Sequence, residues 1–269
     1  MFLRLLVRLT EFSPWFRKRI WHRWYQYLAG YQMEQWRFMN YGYVSLDAQP
    51  SRELDSAEEE DRWAIQLYDY VVGDANLSGL DVLEVGCGRG GGASFVSRYH
   101  KPRRMTAVDY SRKVIKFCQK QNRNESLEFV HGNAESLPFD DAQFDAVINV
   151  ESSHCYGSMP AFLQQVRRVL RNDGVFLHAD FRPREGVEIL EQQLQDSGLF
   201  IVDSVNITAN VLEAMKRDNE RKLRLIDLWT RNRLNGTMRQ FAGVEGSEIH
   251  EGFCKGEIVY MHYRLQKRA

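Results

Sequence analysis

Short apolar segments alternate with longer amphipathic segments from about residue 80 to about residue 205. Apolar runs of about four to eight residues predict buried strands, and apolar positions every three or four residues predict helices. Strands are predicted at 81–86, 104–109, 127–131, 144–150, 174–180, 199–205 and 257–265, and helices at 92–100, 111–124, 161–171, 185–195 and 209–234. This alternation indicates an α/β fold of βαβ units, with a mostly parallel sheet and helices on both faces.

The two ends of the chain depart from this rhythm. The first 40 residues are rich in Arg, Lys, Trp and Tyr. Such a segment is typical of a helix that lies on a membrane surface, or of one that covers a site on its own domain. Ser56 stands three residues before Glu59, a capping-box spacing that predicts a helix start. We therefore expect a basic, aromatic arm and lid at 1–57, a main domain at 58–269, and a helical lid insertion at 207–251.

Composition narrows the class of protein without identifying it. The 269 residues suit one α/β domain, and 36 basic residues balance 36 acidic ones. That balance argues against a nucleic-acid-binding protein, which usually has a basic face. The four cysteines lack the spacing of a metal site or a disulfide framework. With no long apolar run, we expect a cytoplasmic protein with peripheral membrane contact through the arm; the oligomeric state stays open.

The most informative segment is 81–92, where a predicted strand runs into a glycine-rich turn and then a helix. Such a turn lets a ligand approach the main chain closely. Gly86, Gly88 and Gly91 also fit the GxGxxG pattern of dinucleotide-binding oxidoreductases. Glu84 favours a different ligand, because a carboxylate beside a diphosphate is unfavourable and one beside a cation is favourable.

A second acidic residue follows at the end of the next predicted strand. Asp109 lies 23 positions after Gly86, close to the spacing of about 20 expected for an acid that binds ribose hydroxyls. The alternative is that Asp109 only caps the helix that begins near Ser111. The glycine turn at the right distance favours the ribose-binding role.

These residues resemble the class I S-adenosylmethionine-dependent methyltransferases. The resemblance rests on LEVGCG at 83–88 with Asp109, on GNAESLPFDD at 132–141, and on RVLRNDG at 168–174. Val175 departs from the pattern, since a second glycine is common there. A closer similarity, to the phthiotriol/phenolphthiotriol dimycocerosate O-methyltransferases, rests on GGGAS at 90–94, ESSHCY at 151–156, and Gly256, Glu257, Tyr260 and Tyr263.

The resemblance implies a Rossmann-like, seven-stranded sheet with an antiparallel last strand, and S-adenosylmethionine as cofactor. It also implies which residues contact that cofactor. The methionine part would meet Glu84, Gly86 and Gly88, the ribose Asp109, and the adenine Asn133 and Ala134, with Cys87 and Glu151 also among the cofactor-binding residues. The family usually has Asp at position 133, and Asn there adds an amide donor that needs its own partner.

Two further residues are candidates for the chemistry. His154 follows the fourth predicted strand, at the sheet edge where ligands bind in open α/β folds, and a neutral imidazole there could accept a proton from a hydroxyl. Asp180 closes the fifth strand at the same edge and could orient His154 or act as the base itself. The alternative is that His154 is a polar loop residue or only orients the substrate, and that Asp180 is a turn residue before Pro183. His178 shares a strand face with Asp180 and could also face the site.

The function expected is transfer of a methyl group to a hydroxyl on a lipid-like or polyketide-type small molecule. Tyr41 and Tyr43, with the helix predicted at 209–234, would form an apolar cover that excludes water. The alternatives left open are a C- or N-methyltransferase, a non-catalytic methyltransferase-like binding protein, and an NAD-dependent oxidoreductase. No metal is expected at the site.

Overall fold

The computed structural model describes residues 36–47, 52–122, 124–229 and 235–268. Seven strands form one sheet in this part of the chain. They are β1 (Asp81–Val85), β2 (Arg104–Asp109), β3 (Leu127–His131), β4 (Phe144–Val150), β5 (Leu170–Pro183), β6 (Phe200–Asn206) and β7 (Ile258–Gln266).

The strand order is β3-β2-β1-β4-β5-β7-β6. The first five strands run parallel to their neighbours, and β7 lies antiparallel between β5 and β6. The order reverses direction at β1, where the chain crosses from β3 back to β4. In open α/β sheets ligands bind at such a switch point, beyond the carboxyl ends of the strands. The predicted fold class, including the antiparallel last strand, is confirmed.

Helices cover both faces of the sheet. They are α1 (Arg62–Val72), α2 (Gly91–Tyr99), α3 (Arg112–Gln121), α4 (Met159–Val169), α5 (Val187–Asp196), α6 (Thr208–Trp229), α7 (Asn235–Ala242) and α8 (Glu248–Cys254). Because side chains alternate across a strand, neighbours on β7 enter different cores. Tyr260 packs in the core under α1 and α2, and Met261 packs in the core under α4 and α5.

Three predicted element boundaries differ from the structure. Asp55, not Ser56, precedes the first helical turn, which is a 3₁₀ segment with no side-chain cap, so the capping box does not form. The fifth strand begins earlier than predicted because Leu170 pairs with Phe144 of β4, and it ends later because β7 pairs with it as far as Pro183. The helix predicted at 209–234 is found as α6 up to Trp229, and α7 begins at Asn235, with 230–234 outside the described residues.

The described end of the predicted arm, residues 36–47, packs against the main domain. The backbone N–H of Tyr43 donates to the Trp63 carbonyl at 3.0 Å, and that of Val44 donates to the Asn210 carbonyl at 3.2 Å. This stretch therefore joins α1 to α6. The basic, aromatic arm at 1–35 lies outside the described residues. Within the described part of the chain, no helix combines the length and the apolar character that crossing a bilayer requires.

Candidate active site

The glycine-rich turn between β1 and α2 has space only for glycine at key positions. Gly86 has a φ of +79°, and a Cβ there would lie 1.8 Å from the Ser152 hydroxyl oxygen. At Gly92 a Cβ would lie 2.0 Å from a ring carbon of Tyr68. The turn therefore brings β1, β4 and α1 together around its main chain, and a ligand can reach the backbone without meeting a side chain.

Glu84 lies on β1 just below this turn and is almost fully buried. The Tyr68 hydroxyl donates to its Oε1 at 2.6 Å. Its Oε2 has no hydrogen-bond partner among the described residues. Burial raises the pKa of Glu84 to about 7, although the bond from Tyr68 opposes this. The carboxylate lies behind the wall of the cavity described below, so contact with a cofactor stays a prediction.

Asp109, at the end of β2, holds the turn from the other side. Its Oδ2 accepts the Gly88 N–H at 3.1 Å, and its Oδ1 accepts the Ser111 N–H at 2.8 Å. Burial raises the pKa of Asp109 to about 6, against the lowering effect of these two bonds. Asp109 therefore fixes the turn before α3 but is not its cap: the cap is Ser111, whose hydroxyl accepts the Val114 N–H at 3.3 Å. Asp109 also lines the cavity.

The loop after β3 supplies the side predicted to meet an adenine ring. Asn133 and Ala134 both line the cavity. The side-chain oxygen of Asn133 accepts the Glu135 N–H at 3.3 Å and so shapes its own turn. Glu135 in turn accepts the Gly157 N–H at 2.8 Å, which ties this loop to the segment after β4. Cys87, another of the residues predicted to bind the cofactor, also lines the cavity.

Glu151 follows β4 with a φ of +44°, a conformation that non-glycine residues rarely adopt. Its Oε1 accepts the Tyr41 N–H at 2.7 Å and the Tyr260 hydroxyl at 3.0 Å. Burial raises its pKa to about 7, and the charge of Asp180 adds to this, while the bonds from Tyr41 and Tyr260 oppose it. Strained backbone held by surrounding contacts is common at functional sites, and Glu151 lines the cavity.

His154 and Asp180 form a pair, as one sequence hypothesis required. His154 Nδ1 lies 2.8 Å from Asp180 Oδ1, and the His154 N–H donates to Asp180 Oδ2 at 2.9 Å. Arg182 also contacts Asp180, at 3.1 Å. Burial alone would raise the pKa of Asp180, but the charges of His154 and Arg182 hold it well below its usual range.

The same pairing changes the expected charge of His154. Burial lowers its pKa, but the neighbouring Cys155 and Asp180 side chains outweigh burial and raise it to about 10. A neutral imidazole was expected for His154 from the sequence, whereas this environment favours the protonated ring at neutral pH. Cys155 lines the cavity, while His154 and Asp180 stand just outside its wall.

One cavity joins most of these residues. It has a volume of about 150 Å³, enough for on the order of ten water molecules and hence for part of a small organic ligand. The strand ends form its polar side, and Trp36, Phe38, Met39 and Phe241 form its apolar side. We call it the donor cavity.

The donor set of this cavity fits the expected cofactor. Asp109 and Glu151, at the ends of β2 and β4, line it together with Glu135 after β3, and these acidic side chains suit an ammonium, a sulfonium and ribose hydroxyls. The side-chain oxygen of Asn40, which also lines the cavity, is buried without a hydrogen-bond partner among the described residues. This atom is an acceptor, so it needs a hydrogen-bond donor such as this ligand carries. No group of metal-ligating side chains is found in the described part of the chain.

Tyr41 and Tyr43, expected in a cover, lie outside the lining of the donor cavity: Tyr41 packs against Phe181 and Phe253, and Tyr43 stacks on Tyr70 at 4.2 Å. The expectation that His178 could face the site is wrong. His178 shares its strand face with Asp180 but is fully buried, 5.4 Å from the Phe176 ring. Burial lowers the pKa of His178 to about 4, so it is a neutral packing residue.

The residues that sequence reasoning missed are mainly apolar or on helices. Trp36, Phe38, Met39 and Phe241 line the cavity, and Tyr68 donates to Glu84 from α1. The only sequence signal for Tyr68 was a hydroxyl placed on the apolar face of a predicted helix. No signal distinguished Met39 from other apolar residues, because its role depends on a contact across the fold.

Comparison with known proteins agrees with this geometry. A family model described as a methyltransferase domain matches residues 83–178. A phthiotriol/phenolphthiotriol dimycocerosates methyltransferase of Mycobacterium tuberculosis (strain ATCC 25177 / H37Ra) is 37% identical over 264 residues, which cover 98% of this chain and 97% of that protein. A fatty-acid O-methyltransferase of Mycolicibacterium smegmatis is 42% identical over 181 residues, 67% of this chain and 66% of that protein.

Solved structures share the fold at lower identity. Geranyl diphosphate C-methyltransferase from Streptomyces coelicolor A3(2), crystallised with S-adenosyl-L-homocysteine, aligns with a TM-score of 0.63 and 18% identity, over 90% of this chain and 98% of that chain. The [4+2]-cyclase SpnF aligns with a TM-score of 0.65 and 20% identity, over 86% and 87%. These likenesses concern architecture alone, because one fold hosts different reactions. The identity over nearly the whole length of the mycobacterial relative shows that the chain belongs to the family of S-adenosylmethionine-dependent methyltransferases that includes the phthiotriol/phenolphthiotriol dimycocerosates methyltransferases.

Proposed function

We propose that this methyltransferase transfers the methyl group of S-adenosylmethionine to an oxygen atom of a lipid-like or polyketide-type small molecule. The observation that carries the proposal is a single cavity with acidic strand ends on one side and Trp36, Phe38, Met39 and Phe241 on the other. The apolar wall suits a hydrocarbon acceptor. The named activities of the relatives, on phthiotriol lipids and on fatty acids, agree with an oxygen on a lipid.

The donor-binding residues are proposed as they were assigned from the sequence. Glu84, Gly86 and Gly88 hold the methionine part, and Asp109 accepts from the ribose. Asn133 and Ala134 meet the adenine, and Cys87 and Glu151 also contact the cofactor. The bound cofactor supplies a methyl carbon already activated by its sulfonium, so the protein contributes mainly alignment, an effect worth up to about 7–11 kcal/mol.

His154 and Asp180 are proposed to act at the acceptor. Asp180 fixes the ring through Nδ1, at 2.8 Å. A cation in the donor cavity would repel the charged ring of His154 and lower its pKa, which prepares it to accept a proton from a hydroxyl. A nitrogen acceptor, or an oxygen acceptor that arrives already ionised, would need this base less than a hydroxyl does, so a small effect of His154→Ala on turnover would contradict a hydroxyl acceptor.

The surrounding segments are proposed to control access. Region 207–251 includes α7, whose Met238 and Phe241 line the donor cavity, and this supports its role as a lid. The arm at 1–57 would add a cover or bring the enzyme to a membrane surface. We place the enzyme in the cytoplasm, with peripheral membrane contact through this arm.

Calorimetry with S-adenosylhomocysteine tests the proposed donor site. We expect binding in the micromolar range and a loss of at least tenfold in Asp109→Ala, because a buried acceptor for two ribose hydroxyls disappears. Asp140→Ala, at an exposed acid outside the cavity, serves as the control and should leave affinity unchanged. Binding of NADH in place of S-adenosylhomocysteine would contradict the proposal.

Methyl-labelled cofactor identifies the acceptor. Incubation with a panel of long-chain alcohols and acids, followed by mass spectrometry, should give a labelled ether or ester. Labelled products only from amine or carbon acceptors would contradict O-methylation.

A further inference from the structure

A second, smaller cavity adjoins the donor cavity. The two share Trp36, Phe38, Met39, Asn40 and Phe241 in their walls. The smaller cavity adds residues of α6, and its volume of about 10 Å³ has room for one water molecule or one oxygen atom of a ligand. We call it the side cavity.

Lys222 of α6 lines the side cavity. Its side chain is 6% exposed, and its Nζ has no hydrogen-bond partner among the described residues. The Nζ lies 5.5 Å from the centre of the Tyr41 ring, whose own backbone N–H donates to Glu151. A buried ammonium therefore stands beside the residues that border the donor cavity, with its three N–H donors unused by this part of the chain.

Asp218, the acidic residue nearest in sequence, forms an ion pair with Lys222 but no hydrogen bond, because its Oδ2 is 3.9 Å from Nζ. Both oxygens of Asp218 are already engaged by Arg221, at 2.6 and 2.8 Å. Two further charges act on Lys222: that of Arg221 lowers its pKa, and that of Glu151 raises it. Burial lowers the pKa of Lys222, and an anion arriving at Nζ would reverse that effect.

A buried cation without hydrogen bonds is unfavourable unless a ligand completes its coordination. We propose that Lys222 binds the carboxylate of a fatty-acid-like acceptor, so that this enzyme forms carboxyl methyl esters; the inference rests on the proposed O-methyltransferase function. The shared walls of Trp36, Phe38, Met39 and Phe241 accommodate the alkyl chain. The carboxylate then lies between the ammonium and the donor cavity.

The chemistry of a carboxylate acceptor suits the rest of the site. One carboxylate oxygen forms the new bond to the methyl carbon, while the carbon–sulfur bond breaks and its electron pair stays on sulfur. The products are the methyl ester and S-adenosylhomocysteine, and no proton is transferred. An acceptor that arrives ionised needs no base, which agrees with a His154 ring that is protonated and stands outside the cavity wall.

Parallel assays with hexadecanoic acid and hexadecan-1-ol test this inference on the full chain. We expect the wild-type enzyme to esterify the acid, and Lys222→Met to raise KM for the acid at least tenfold. Lys216→Met is the matched control, because Lys216 is an exposed lysine on the same helix, and it should leave KM unchanged. Lys222→Arg, which keeps the charge, should retain more of the acid affinity than Lys222→Met.

One binding measurement and one stability measurement keep the test independent of turnover and of folding. Calorimetry should show hexadecanoate binding to the complex with S-adenosylhomocysteine, weakened at least tenfold in Lys222→Met. The melting temperature of Lys222→Met should equal or exceed that of the wild type, because the variant loses a buried charge that has no hydrogen bond among the described residues.

The results that would overturn the inference are distinct from failure of the proposed function. Methylation of the alcohol alone, no hexadecanoate binding, or equal effects of Lys222→Met and Lys216→Met on the acid would reject the carboxylate site and leave O-methylation standing. If the wild-type protein does not bind S-adenosylhomocysteine, both the carboxylate site and the proposed function are rejected.

Discussion

At the scale of single residues, the candidate site is characterised by acidic side chains whose ionised form is disfavoured by burial. Glu84, Asp109 and Glu151 each follow or end a strand, and burial raises the pKa of each. Their hydrogen bonds come from Tyr68, from two backbone amides, and from Tyr41 with Tyr260. These bonds hold the side chains in place before a ligand binds, so little ordering is required at that moment.

The hydrogen bond from Tyr68 to Glu84 gives the first prediction. Tyr68→Phe removes the only hydrogen bond to Glu84 from a described side chain, and a bond to a charged group is worth about 1.5–3 kcal/mol. Without it the carboxyl holds its proton more tightly and attracts a cation less. We expect S-adenosylmethionine to bind about tenfold more weakly, measured by calorimetry at pH 7.

Tyr70→Phe is the matched control for Tyr68→Phe. Tyr70 lies on the same helix but stacks on Tyr43, away from the glycine turn. Equal affinities for the Tyr68 and Tyr70 variants would show that the bond to Glu84 does not support donor binding.

At the scale of secondary-structure elements, the turn depends on how closely α1 and α2 approach. Gly92 is the contact point, because a Cβ there would lie 2.0 Å from a Tyr68 ring carbon. The hydroxyl at this same end of the Tyr68 ring donates to Glu84, so the ring cannot move away without losing that bond. The packing of α1 against α2 and the position of Glu84 therefore depend on the same side chain, Tyr68.

Gly92→Ala should therefore cost more than a change of helix propensity. Overpacking in a core typically costs about 1–3 kcal/mol, and the better helix propensity of alanine offsets only part of that. We expect a melting temperature several degrees lower, measured by circular dichroism. Gly236→Ala in α7, where a Cβ meets nothing within 4 Å, should not destabilise the protein. A Gly92→Ala variant as stable as the wild type would contradict this packing argument.

Much of the fold could be predicted because its signals are local. Each central strand is an apolar run flanked by polar residues, and the glycine turn is encoded within 12 residues at 81–92. The pairing of His154 with Asp180 also followed, since parallel strands end at one edge of the sheet.

The cavity wall and several charges could not be predicted from sequence. Met39 and Phe241 meet at the cavity only because residues 36–47 pack between α1 and α6. The contacts of Tyr41 also depend on residues distant in sequence: its backbone N–H donates to Glu151, and its ring packs against Phe181. The pKa of His154 depends on Asp180 and Cys155 together with burial, and no spacing rule contains that balance.

At the scale of the whole molecule, the donor cavity lies at the carboxyl ends of the strands, and segments from distant parts of the chain supply its apolar lining. Residues 36–40 and α7 close the cavity over the strand ends. Residues 36–40 follow the basic, aromatic region 1–35, and α7 follows the basic stretch 230–234. Acceptor entry is therefore expected at this rim.

Removal of residues 1–20 tests the contribution of the arm. This segment contains five of the basic residues, Arg4, Arg8, Arg17, Lys18 and Arg19, against one acid, Glu11. We expect the truncated enzyme to bind less to vesicles with anionic phosphatidylglycerol, or to show a higher KM for a lipid acceptor, while S-adenosylhomocysteine affinity stays unchanged. If vesicle binding and KM both match the full chain, the arm has neither role.

The charge balance of the whole site gives a pH dependence with a definite sign. In the donor-free protein the pKa values of Glu84 and Glu151 are about 7, and that of Asp109 is about 6, so all three hold more protons at pH 6 than ordinary carboxyls. A cationic donor favours their ionised forms and lowers these pKa values. Binding near pH 6.5 must therefore release protons, and affinity must rise between pH 5.5 and 7.5.

Calorimetry in phosphate and in imidazole, which both buffer at pH 6.5, measures this proton release directly, because the two buffers differ in their enthalpy of ionisation. We expect the apparent binding enthalpy to differ between the buffers at pH 6.5, with the sign of proton release, and the difference to shrink in Glu84→Gln and in Glu151→Gln. The same linkage makes the donor-free fold less stable as these carboxyls lose their protons, since their pKa values are higher in the folded than in the unfolded chain. Stabilisation by the donor should accordingly be larger at pH 7.5 than at pH 5.5. Proton uptake on binding, or an affinity that does not change with pH, would show that these carboxyls do not face the cation.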